Sequence, residues 1–84
     1  MKTRPVPKWI MQRYAMLWHK FKEKEFTYKE VSKLFTKDSD NLRRALISQL
    51  RINGWLSVEL NSKDSRKRSF KLKSPEEAIE GMFS

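Results

Sequence analysis

The stretch that most limits how this chain can fold is residues 38–73, DSDNLRRALISQLRINGWLSVELNSKDSRKRSFKLK. A helical period gives way to a glycine, and two runs of period two follow. Leu42, Ala45, Leu46, Gln49 and Leu50 fall on one face of a helix predicted over 39–53, and Arg44, Ile47, Ser48 and Arg51 fall on the other. Asp38 or Ser39 is placed to cap its start. Gly54 sits just past its end, where a left-handed residue is easiest for glycine. Beyond it, Leu56, Val58 and Leu60 alternate with Ser57 and Glu59, and Phe70 and Leu72 alternate with Ser69, Lys71 and Lys73. The polar run Asn61 to Lys67 joins them, which predicts a hairpin over 55–73 with Asp64 to Arg68 at its tip.

The remaining segments supply helices to pack against this unit. Trp9, Ile10, Tyr14, Leu17, Trp18 and Phe21 form a broad apolar stripe at helical spacing, predicting a first helix over Lys8 to Glu23. Phe26-Thr27-Tyr28-Lys29-Glu30-Val31 is a helix start, with Thr27 and Glu30 as a capping box and Phe26 and Val31 as a hydrophobic staple. The second helix is expected to run to Phe35, with Thr36-Lys37-Asp38-Ser39 as the turn after it. Ser74-Pro75-Glu76-Glu77 opens a last helix over 75–83, with Ser74 as cap and Pro75 in the first turn. Ala78, Ile79, Met82 and Phe83 form its apolar side. So short a helix is unstable alone in water and must dock on this domain or on a partner. Residues 1–7, with Pro5 and Pro7, read as a basic extended arm whose bland fate is fraying. The whole, 1–84, is a single small α+β domain.

Charge narrows the class of partner. Residues 1–73 carry all 19 Lys and Arg against seven acids, and residues 74–84 carry three Glu and no base. The net charge of +9 favours a polyanion, with nucleic acid first and an anionic membrane second. A solubility surface is the plainer alternative. No cysteine is present, and no apolar run approaches the roughly 20 residues of a membrane span. No signal-peptide core stands at the N-terminus. The expected location is cytoplasmic, at the nucleoid of a prokaryotic, archaeal or viral host cell, with no membrane partner.

The helix, glycine and basic hairpin of 39–73 resemble the recognition helix and wing of winged helix-turn-helix DNA-binding domains. Within the hairpin, Asp64-Ser65-Arg66 followed by Phe70 and Leu72 resembles the wing of MarR-type transcriptional regulators. The chain departs from that pattern in ending Leu72-Lys73 rather than Leu-Thr, and it lacks the long flanking helices by which that family dimerises. The resemblance implies a winged helix-turn-helix of order helix, short strand at Phe26, helix, helix, strand, strand, helix. It also implies that Arg66 enters a minor groove and that Asp64 orients it.

On this reading the third helix lies in a major groove. Asn41, Arg44, Ile47 and Ser48 are the candidate base readers: Arg suits guanine, Asn suits adenine, and an exposed Ile47 suits a thymine methyl. Lys37, Arg43, Arg51, Lys63, Arg66, Lys67 and Arg68 are the candidate backbone and wing contacts, since loop cations are open to phosphates. The expected function is sequence-specific binding of double-stranded DNA in transcriptional regulation. The rivals are a sequence-tolerant architectural DNA binder and a winged-helix protein-interaction module of a larger complex. A homodimer would use the Trp-rich first helix and the last helix. No enzyme is expected. His19 is the lone histidine, no cluster has metal-ligand spacing, and neither Gly54 nor Gly81 belongs to a phosphate loop. No cofactor and no small-molecule ligand are expected.

Overall fold

Four helices pack around one two-stranded antiparallel sheet in the computed structural model, which describes residues 3–60 and 68–83. In chain order these are α1 (Lys8–Phe21), α2 (Tyr28–Leu34), α3 (Asp40–Ile52), β1 (Leu56–Leu60), β2 (Arg68–Leu72) and α4 (Pro75–Phe83). The chain is thus a small α+β domain. Three of the helices begin on a local capping signal. Thr27 accepts from Glu30 N while the Glu30 side chain accepts from Thr27 N, closing the expected capping box on α2. Ser39, not Asp38, caps α3 by accepting from Leu42 N at 3.2 Å. Ser74 caps α4 by accepting from Glu77 N at 3.2 Å.

Helix α1 stops at Phe21 rather than Glu23, because Lys22 turns the chain with φ 53. Helix α3 ends in a Schellman arrangement. Gly54 N donates to Arg51 O at 3.2 Å and Trp55 N donates to Leu50 O at 2.8 Å. Gly54 takes φ 85, which a residue with a Cβ reaches only at a cost. This stop throws Trp55 and Leu56 directly into the core and starts β1.

The strands pair Leu56 with Leu72, Val58 with Phe70 and Leu60 with Arg68, so the two apolar alternations share one face of the sheet. The short strand expected at Phe26 is a single bridge. Phe26 N donates to Phe70 O at 2.9 Å and Phe70 N to Phe26 O at 2.7 Å. That bridge ties the start of α2 to β2. Phe26 stacks on Phe21 at 4.6 Å between ring centroids and tilts against Phe70 at 5.8 Å.

The core is built from Ile10, Tyr14, Leu17 and Phe21 of α1, Val31 of α2, Leu46, Ile47 and Leu50 of α3, and Trp55, Leu56, Phe70, Leu72 and Ala78. Burial of each of the large apolar side chains among these contributes about 1.5–3 kcal/mol relative to an exposed one. Tyr14 meets Trp55 edge-on at 4.9 Å and donates its hydroxyl to Lys73 O at 2.5 Å.

One expectation fails here. The arm does not fray over its described part: Arg4 N donates to Asn53 O at 2.9 Å, and the Trp55 indole donates to Arg4 O at 2.7 Å. Thr3 is buried, and its N–H donates to Gly81 O. The buried indole needs an acceptor, and the arm supplies it. Helix α4 docks on the domain through buried Ala78 and the Thr3–Gly81 hydrogen bond, but the rest of its apolar side is open. Ile79 and Met82 are exposed and Phe83 is 87% exposed.

Candidate nucleic-acid interface

Helix α3 is rotated by about a quarter turn from the phase its sequence suggests. Leu46 and Leu50 point inward as expected, but the third inward residue is Ile47, only 9% exposed. Leu42 is 43% exposed and Gln49 is also exposed. Ile47 therefore is not the open apolar contact that a thymine methyl requires. Arg43 explains the rotation. Its guanidinium is half-buried, and Nη1 donates to Phe35 O at 3.0 Å and Asp38 O at 2.5 Å. These are carbonyls at the end of α2 and in the turn, groups that a helix end leaves without partners. Arg43 thus clamps the α2–α3 turn, and its guanidinium is engaged by these carbonyls.

A second clamp fixes the same turn. Arg13 on α1 grips Asp38 through Nε to Oδ2 and Nη2 to Oδ1, both at 2.8 Å. The Arg13 hydrogen bond, with its charge and that of Arg43, holds the Asp38 carboxyl below the usual carboxylate range despite partial burial. Asp38 is thus withdrawn from capping, and Ser39 takes that role. Lys37, beside it, is exposed.

With α3 so placed, a groove of about 520 Å³ opens between it and the hairpin. Its floor is Ile47, Val58 and Phe70, and its walls carry Arg44, Ser48, Arg51, Arg68 and Tyr28. Three guanidinium groups and no carboxylate line it among the described residues. A second groove, about 400 Å³, lies along the hairpin and is lined by Arg51, Lys71 and Lys73 opposite Glu77. Arg51 borders both, so the two form one basic track. Of the expected base readers, the structure brings Arg44, Ile47 and Ser48 to the first groove, Ile47 only as its nearly buried floor. Asn41 is exposed on the first turn of α3 but does not line it.

Arg68 is not at the tip of the hairpin but opens β2, opposite Leu60. Lys63, Asp64, Arg66 and Lys67 lie outside the described residues. Tyr28, Lys71 and Lys73 line the grooves although their sequence pattern gave them other roles or none. For the two lysines, the alternation of β2 was a usable signal, since it set them apart from Phe70 and Leu72.

Arg44 is 73% exposed and bonded to Asp40 one turn earlier, Nε to Oδ2 at 2.9 Å. The Tyr28 hydroxyl donates to the other oxygen, Oδ1. That hydrogen bond, followed by the charges of Arg44 and Arg43, holds the Asp40 carboxyl below its usual range. The surface can therefore present fixed cations and hydrogen-bond donors, which suits a polyanion.

No group of three or more His, Cys, Asp or Glu among the described residues is arranged to hold a metal ion. No described helix is long and apolar enough to cross a membrane. No family model, curated protein or solved structure gives a significant match to this chain.

Proposed function

We propose that this chain is a winged helix-turn-helix domain that binds double-stranded DNA in a sequence-specific manner and acts in transcriptional regulation, without catalytic activity. The observation that carries the reading is the groove beside α3, walled by Arg44, Arg51 and Arg68 and free of carboxylates among the described residues. The order of elements and the Phe26–Phe70 bridge support the fold reading. Helix α3 is the recognition helix and the hairpin is the wing. Arg44 and Ser48 read base edges, while Arg51, Arg68, Lys71 and Lys73 meet phosphates. Such contacts release counterions, so affinity must fall steeply with salt. The test is fluorescence anisotropy on labelled duplexes of varied sequence over a salt series. Binding with a linear log–log salt slope and a preference among sequences supports the reading. Salt-sensitive binding with no preference would instead make the protein an architectural DNA binder.

One observation favours a second reading, a protein-interaction module. Ile79, Met82 and Phe83 are exposed together on α4, and large side chains of this kind on a short helix suit a protein contact. The same surface would serve a homodimer on DNA. Measuring mass by light scattering, with and without duplex, separates these arrangements.

A further inference from the structure

Asp40 is out of place on a surface meant for phosphates, because a carboxylate there repels them. Its surroundings give it a purpose. An ordinary ion pair one turn apart on a helix is loose, and its two side chains keep much of their freedom. The Asp40–Arg44 pair is braced from a second element: Oδ2 receives Arg44 Nε at 2.9 Å, and Oδ1 receives the Tyr28 hydroxyl from α2. Arg43 Nη2 stands 3.9 Å from the same Oδ1. With Nε occupied, the two terminal nitrogens of Arg44 remain, and Arg44 is 73% exposed on the groove wall. Paired terminal nitrogens are the fork that meets the two acceptors of a guanine edge.

We propose that Asp40, braced by Tyr28, is a specificity-determining positioning residue that aims the Arg44 fork at one base edge and penalises binding wherever no acceptor pair receives it. This rests on the DNA-binding reading. The carboxylate has two separable effects. Its charge weakens binding to every sequence, and its ion pair with Arg44 sharpens choice at a single base pair. A residue serving only the favourable charge at a helix N-terminus would change stability and leave base choice alone.

The test uses the wild-type chain, Asp40→Ala and Tyr28→Phe, each checked for folding by circular dichroism. Affinities are measured for the best duplex recovered by selection and for its single-base-pair variants. Asp40→Ala is expected to tighten binding to unrelated duplexes several-fold and to reduce discrimination at one base pair by about tenfold, the scale of one bidentate contact. Tyr28→Phe changes no charge, so it shifts binding to unrelated duplexes less than Asp40→Ala does, and it loses part of the discrimination at that same base pair. In the Arg44→Ala background, Asp40→Ala produces no further loss there. Unchanged discrimination in both single variants overturns the proposal and leaves DNA binding intact. A second readout needs no DNA: exchange of the Arg44 Nε–H with water, followed by NMR, is slowed in the free wild type and faster in both variants. Equal exchange in all three overturns the brace itself. A folded wild type that binds no duplex overturns the proposal together with the reading beneath it.

Discussion

Arg13 and Asp38, 25 residues apart in sequence, face each other with two parallel hydrogen bonds of 2.8 Å, Nε to Oδ2 and Nη2 to Oδ1. The pair fastens α1 to the turn that launches α3 and so fixes the angle at which the basic helix is presented. It also makes stability depend on acid. Asp38 titrates below its unfolded value of about 3.9, so its contribution is complete above that value and disappears as pH falls through the folded one. Asp38→Asn should cost about 1 kcal/mol or less at neutral pH, since the pair is partly open to water. Urea unfolding at neutral pH and near pH 2 checks this: the gap between wild type and variant should shrink in acid. An equal gap at both would contradict it.

At the alkaline end the sensor is Tyr14. Burial, with a smaller push from the Glu77 charge, raises its hydroxyl to about 12. The protonated phenol is the form that donates to Lys73 O. Its contribution is therefore whole below the unfolded value of about 10 and is lost as pH rises through the folded value. Ultraviolet titration of the phenolate should place one of the two tyrosines near 12, and Tyr14→Phe should remove that transition. The variant should lose about 1 kcal/mol at neutral pH.

Arg43 should matter to folding and not to DNA. Arg43→Ala leaves two carbonyls, Phe35 O and Asp38 O, short of a donor, which costs about 1–3 kcal/mol. Thermal unfolding should register that loss. The salt slope of binding should stay at the wild-type value when measured well below the lowered midpoint. A reduced slope would return Arg43 to the phosphate contacts.

Much of this architecture could be read locally. The Thr27–Glu30 box, the Ser39 and Ser74 caps, the Gly54 stop and the two alternations flanking 61–67 each act within a few residues, so the sequence displays them. What escaped was everything set by distant partners. Two apolar seams share Leu46 and Leu50 on α3, one adding Leu42 and the other Ile47. The choice between them falls to Arg43, which turns inward because α2 and the turn leave carbonyls open there. The arm is held because the Trp55 indole finds its acceptor 51 residues away. The Tyr28–Asp40 contact joins two helices across the turn and has no signature in either helix alone.

The basic track should behave as a set of independent phosphate contacts. Replacing Arg51 or Arg68 with Ala should weaken binding to all duplexes alike and reduce the log–log salt slope by about 1 for each residue. Lys71→Ala should do the same if the second groove also follows the backbone. Titrations at several salt concentrations supply the slopes, and a slope unchanged in both the Arg68 and the Lys71 variant would remove the hairpin from the interface.

On the proposed reading, base recognition falls mainly to Arg44. Its replacement by Ala should cost about 1–3 kcal/mol of specific binding and relax choice at one position. The measurement that reaches the central claim most directly is selection from a random duplex library at near-physiological salt, with wild type and Arg44→Ala run in parallel. The account predicts a short enriched motif containing a guanine that the variant no longer selects. A wild-type protein, shown to be folded, that recovers no duplex or recovers duplexes without enrichment would contradict it.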